Sequence, residues 1–214
     1  LNLMTFQILG VLLGGRIGFA LLYRTEELFQ DPLMLFYVWQ GGMASHGGFI
    51  GVILVTFWYA RKSHQSFWPV ADLIATIVPP GLLFGRVANF INGELWGKAT
   101  TVPWGVLFPK APDFAQGITR HPSQLYAAFL EGFLVFVFIQ FRFWKSNVCQ
   151  NSPGRLGGEF LIAYAMARIL GEFFREPDAS LIMGISRGQF YSIFLLLGGF
   201  FVIFIAEKRR SLSS

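Results

Sequence analysis

Long apolar runs alternate along this chain with shorter polar stretches, and the runs exceed what the core of a soluble domain needs. At about 1.5 Å per residue, a helix takes about 20 residues to cross roughly 30 Å of hydrocarbon. Six stretches approach or exceed that length: Leu3 to Tyr23, Gly42 to Tyr59, Phe67 to Ile91, Ser123 to Phe143, Gly158 to Phe174 and Gln189 to Ala206. The pattern predicts an all-α, polytopic transmembrane helix bundle, with residues 1–214 as a single membrane domain. The sequence opens on Leu1-Asn2-Leu3, already inside an apolar run, so a preceding segment is expected and the domain reads as N-terminally truncated. No signal-peptide pattern of basic, apolar and small-residue regions stands at its start.

Between the runs, residues 93–122 carry Pro103, Pro109, Pro112 and Pro122 with aromatics between them, which suits a small external cap better than a linker. The stretch from Arg24 to Trp39 reads as an arm in the membrane interface. Gly10, Gly14 and Gly18, and again Gly47 and Gly51, follow a small-xxx-small spacing that lets helix backbones approach closely.

Composition agrees with the pattern. Hydrophobic residues make up 54% of the chain and charged ones 14%, well under the roughly 25% of a soluble domain. The net charge of +5 does not form a basic stripe with interleaved aromatics, so nucleic acid is not an expected partner. Basic residues gather instead at Arg61-Lys62, at Arg142, Lys145 and Arg155, and at Lys208-Arg209-Arg210, in alternate loops. By the positive-inside rule those loops and both ends face the cytoplasm. The single cysteine, Cys149, excludes an internal disulfide and a CxxC motif, and reads as a bystander.

Ionisable groups within the runs are costly, at least about 2.5 kcal/mol each at mid-depth, and call for a partner or a wet cavity. Arg16, Arg86, Glu131, Arg168, Glu172 and Arg175 are of this kind. The last three share one helical face, where Glu172 is expected to neutralise one arginine and leave the other for an anion. Arg86, Asn89 and Asn92 follow i, i+3 spacing and would line one face if the helix persists that far. That face suits either a phosphate grip, with amides on ester or hydroxyl oxygens, or a polar network locking helices together. A lone histidine is more often a packing or capping residue, but His46 is followed by Gly47-Gly48, which leave its imidazole open to a substrate. His121-Pro122-Ser123-Gln124-Leu125-Tyr126 enters the fourth run.

In order along the chain, Gly14-Gly15-Arg16-Ile17-Gly18, His46-Gly47-Gly48, the run from Arg86 to Gly97, His121 to Tyr126 and Glu172-Phe173-Phe174-Arg175-Glu176-Pro177-Asp178 resemble bacterial prolipoprotein diacylglyceryl transferase. The resemblance implies a seven-span enzyme of the bacterial cytoplasmic membrane, with its site toward the outer face and no cofactor or metal. It implies phosphatidylglycerol as lipid donor and the lipobox cysteine of prolipoprotein signal peptides as acceptor, joined by a thioether with release of glycerol phosphate. Membrane lipids are further partners. The chemistry needs a thiolate and charge stabilisation on a departing phosphate. His46, Arg86 and Arg175 are the catalytic candidates, with His46 as base. Arg16, Asn89, Asn92, Glu94, Gly97, Tyr126 and Glu172 are the substrate-binding candidates.

Other chemistries fit less well. His46 and His121 lack HxxxH or HExxH spacing for a metal, and Ser45 is in no GxSxG elbow. A transporter or lipid-binding protein could hold an anion on the same arginines, although no inverted repeat is evident.

Overall fold

A computed structural model describes residues 2–37, 42–43, 45–177 and 181–213, with the side chains of Leu22, Tyr23, Ser45, His46 and Ser213 outside the description. Its regular elements are helical, and the only β pairings among the described residues are isolated bridges. Contacts divide the chain into two compact units, Leu1–Val70 and Ala71–Ser214.

The first unit is built on α1 (Leu3–Tyr23) and α3 (Ser45–Lys62), with α2 (Thr25–Gln30) and a 3-10 turn (Pro32–Phe36) between them. Glycines let the two long helices touch backbone to backbone: a Cβ on Gly14, Gly47 or Gly51 would run into a carbonyl oxygen of the facing helix. The small-residue spacing is therefore a packing device. A buried hydrogen bond from Gln7 Nε2 to Thr56 Oγ1, 2.8 Å, fixes their register.

The second unit contains α4 (Phe67–Ile91) from Ala71 onward, α5 (Ser123–Ala127), a π-helical turn (Ala128–Leu134), α6 (Val135–Lys145), α7 (Val148–Asn151), α8 (Arg155–Glu172) and α9 (Arg187–Ser213). Helix α4 runs unbroken through Pro79-Pro80. Pro80 has no N–H for the carbonyl of Thr76, four residues earlier, and the side-chain amide of Gln140 donates to that oxygen instead at 3.1 Å. Asp72 accepts from the backbone N–H groups of Gly154 and Gly157, at 2.7 and 2.8 Å, and so caps the start of α8. Helices α8 and α9 meet through Gly158 and Gly199, and Val135, Ile139, Val148, Leu156 and Ala167 form an apolar core.

Four helical segments are long and apolar enough to cross a membrane: Leu3–Leu21, Phe67–Ile91, Ser123–Lys145 and Arg187–Leu212. The other two stretches expected to span are the 18-residue helices α3 and α8. Helix α8 holds Arg155, Glu159, Arg168 and Glu172, which lower its apolar character.

Candidate functional site

In the second unit, three separate stretches of chain converge on Gly97. Its N–H donates to the carbonyl of His121 at 2.9 Å, and it forms a bridge with Arg175. On either side, Lys98 N–H donates to Phe174 and Glu176 N–H to Trp96, at 2.9 and 3.2 Å. A Cβ at residue 97 would sit 2.5 to 2.6 Å from the carbonyl oxygens of His121 and Phe174, so only glycine allows these chains to meet. Gly97, expected among the substrate-binding residues, thus brings Arg175 up against the loop that follows α4.

The same loop organises around Glu94. Helix α4 ends at Ile91, so Asn92 lies in the turn rather than on the helical face, yet Asn89 and Asn92 still act together. Their amides donate to Glu94 Oε1, at 2.8 and 3.3 Å, and hold that carboxyl below the ordinary range. The amide of Gln124 donates to the Glu94 carbonyl at 2.6 Å, and Ser123 Oγ to that of Leu95 at 3.0 Å. Tyr126 accepts a 2.6 Å hydrogen bond from Trp104, and its hydroxyl is 3.2 Å from His121 Nδ1. The rings of Tyr126, His121 and Phe174 pack edge to face.

Residues 97–120 knit into a folded loop around Arg120, which forks onto both oxygens of Asp113, reaches Glu176 at 3.2 Å and donates to the Gly97 carbonyl at 3.0 Å. The guanidinium holds the Asp113 carboxyl below its usual range.

Below this layer the arginines and acids form an alternating chain. Arg86 places Nε and Nη2 on Glu131 Oε2, at 3.1 and 2.9 Å. The other carboxylate oxygen of Glu131 accepts from Arg168 at 3.1 Å. Arg168 also pairs with Glu172 Oε1 at 2.7 Å, and Arg175 lies 3.4 Å from that same oxygen. The expectation that Glu172 would neutralise one arginine and leave the other is therefore corrected: one carboxylate oxygen serves both, because Arg175, just past the end of α8, folds back toward it. Gly188 makes room for the Glu172 carboxyl, which a Cβ there would touch at 2.5 to 2.6 Å.

Glu131 and Arg168 are the two members of this chain missing from the sequence-derived site. As charges within apolar runs they were visible, but their pairing depends on the register between α4, the π turn and α8. Among the described residues no group of three His, Cys, Asp or Glu side chains converges as a metal site.

In the first unit, Arg16 is buried and works as a staple. It donates to the carbonyls of Met34, Leu35, Tyr37 and Gly42, at 2.6 to 3.2 Å, and so ties the segment between α2 and α3 to α1. His46 is the second residue of α3, and its side chain lies outside the described residues.

The family model for prolipoprotein diacylglyceryl transferase matches residues 1–205. A phosphatidylglycerol–prolipoprotein diacylglyceryl transferase of Idiomarina loihiensis is 45% identical over 211 residues, which cover 97% of this chain and 76% of that protein. Proteins of the same name from Aeromonas hydrophila and Zymomonas mobilis are 44% and 42% identical, covering 99% and 98% of this chain and 75% and 72% of their own lengths. A match running along nearly the whole sequence, through every stretch that builds the loop and the ion-pair chain, leaves one conclusion: the chain belongs to the prolipoprotein diacylglyceryl transferase family.

Proposed function

We propose that this protein transfers the diacylglyceryl group of phosphatidylglycerol to the lipobox cysteine of prolipoproteins, the first step of lipoprotein maturation. The observation that carries the site assignment is the alternating chain from Arg86 to Arg175, which fixes two phosphate-binding candidates in one connected set. The cysteine sulfur attacks the diacylglyceryl carbon that bears the phosphate, a carbon–sulfur bond forms, and the carbon–oxygen bond breaks. The electron pair of that bond leaves on the phosphate, and the thiol proton passes to a base.

Arg86 and Arg175 stabilise the charge gathering on the phosphate, the step where fixed cations act most strongly. Glu94, oriented by Asn89 and Asn92, receives glycerol hydroxyls, and Tyr126 and Glu172 support the surrounding shell. Arg16 contributes by holding the segment that leads into α3. The proton acceptor is His46, on the strength of an imidazole whose ordinary pKa is near 6.5 and of the glycines after it.

In this reading α3 and α8 join the four apolar segments as spans, the enzyme lies in the bacterial cytoplasmic membrane with both described ends inside, and residues 93–122 cap the outer face. The distribution of basic residues supports that orientation.

The test is direct: purified protein, phosphatidylglycerol vesicles and a synthetic lipobox peptide, followed by peptide mass, with a Cys-to-Ser peptide as control. A diacylglyceryl mass increase confined to the cysteine peptide is expected. Folded protein that binds the lipid and leaves the peptide unmodified would instead favour an anion-binding or transport role. Replacing Arg86 or Arg175 by Gln should lower turnover by about 100-fold or more. Retention of near-normal rates by either variant would remove that arginine from the mechanism.

A further inference from the structure

Glu131, one of the five charges of the second unit's ion-pair chain, is unusual in its backbone as well as its setting. It sits in the π-helical turn Ala128–Leu134, in the middle of a segment that is otherwise α-helical from Ser123 to Lys145. Such turns are rare and are found often at functional sites, because the extra residue re-aims side chains without ending the helix. Here the turn is pressed against the helix that bears Arg86: a Cβ on Gly132 would lie 2.6 Å from Leu83. The Glu131 side chain has no exposed surface. A carboxylate this deep needs full compensation, and its two oxygens are divided, Oε2 to Arg86 and Oε1 to Arg168.

Both contacts with Glu131 use one edge of the Arg86 guanidinium, Nε and Nη2, which fixes the plane and direction of the group. Arg168 is anchored in turn on Glu172, so Glu131 cannot swing toward Arg86 or away from it independently of α8.

Resting on the transferase reading above, we infer that Glu131 is a positioning residue for the transfer: from its π turn it sets the orientation in which Arg86 meets the donor phosphate, with Arg168 holding the carboxylate in place. It acts through Arg86 and touches no substrate itself.

A double-mutant cycle in the peptide-lipidation assay tests this, with kcat and KM measured for the wild type, Glu131→Gln, Arg86→Lys and the double variant, each confirmed folded by gel filtration and thermal unfolding. Glu131→Gln is expected to lower kcat by about 30-fold with KM changed by less than about threefold, since it misorients a group needed most in the transition state. In the Arg86→Lys background the same change should cost less than about threefold, because the residue it orients is already gone. Equal losses in both backgrounds would overturn the inference. Should Glu131→Gln not fold, Glu131→Asp replaces it in the cycle, keeping the charge but shortening the reach. Failure of both to fold would make the carboxylate a determinant of the fold alone and likewise overturn it. An Arg86→Lys variant with undiminished turnover would strike instead at the assignment of Arg86, leaving the two failures distinguishable.

Discussion

At the scale of single residues, the structure separates side chains that are available for chemistry from those already committed. Arg16 and Gly97 show how a buried charge or a glycine can be explained by what it holds together: one gathers four backbone carbonyls, the other permits three chain segments to meet. Cys149 is the opposite case, a thiol in a protein whose proposed reaction activates a thiol. Burial, reinforced by the nearby charges of Asp72 and Glu159, pushes its pKa up to about 11. Thiolate is the reactive form, so at pH 8 Cys149 should react with a maleimide roughly two orders of magnitude more slowly than a free cysteine with a pKa near 8.5. The folded state keeps this proton more tightly than the unfolded chain does. Its contribution to stability is therefore fully present below about pH 8.5 and declines as pH rises toward 11. Rapid labelling of folded protein at pH 8 would show that the site is more open and better solvated than this. Cys149→Ser should leave turnover intact, as expected of a residue outside the transfer chemistry.

At the scale of elements, much was legible. Apolar run length located α1 and α4 to the residue, and the glycine spacing identified the face on which α1 and α3 meet. The other spans are offset from the expected limits by a few residues: α3 begins and ends three residues later, α8 begins three earlier and ends two earlier, and α9 continues to Ser213 through a polar end beyond the apolar run. The π turn was not legible, because hydropathy records how apolar a stretch is and not which carbonyl each N–H finds. The same limit hid the ion-pair chain: Glu131 was conspicuous as a charge in an apolar run, yet its partners are 45 and 37 residues away. Asn92 shows the reverse, a residue whose expected helical face does not exist but whose partnership with Asn89 survives through Glu94. The double proline of α4 poses a similar problem, solved by Gln140. Its Nε2 serves the Thr76 carbonyl that Pro80 cannot, while its Oε1 accepts from Trp144 at 2.9 Å. Gln140→Leu keeps the bulk and orphans that carbonyl within the span. A loss of about 0.5–2 kcal/mol is expected, read as an earlier midpoint in SDS-induced unfolding. No shift in the midpoint would mean the carbonyl finds another donor.

For the whole molecule, the decisive quantity is which side of the membrane each loop occupies, since donor lipid and peptide must reach the site from the side that holds them. Basic residues at Arg61-Lys62, around Arg142 to Arg155 and at Lys208 to Arg210 favour the cytoplasm for those regions. Their side chains are partly spent on one another's loops: Arg142 and Arg155 pair with Glu159, and Arg155 also with Glu207. The positive-inside bias responds to the number of Lys and Arg rather than to net charge, so these pairings do not weaken it. In the proposed orientation the loop around Arg120 falls on the outer side, next to the residues that gather at Gly97. Single cysteines placed in a Cys149→Ser background can read this in intact cells. Gln116 and Ser211 are both exposed, and neither change removes a basic residue. A membrane-impermeant maleimide should label Gln116→Cys without permeabilisation and Ser211→Cys only after it. The reverse pattern would put the folded loop and the arginine chain beneath it at the cytoplasmic face, where a secreted lipobox peptide does not reside. Labelling of both from outside would require an odd number of crossings between residues 116 and 211 to be replaced by an even one, removing one of the spans assigned to 123–145, α8 or α9.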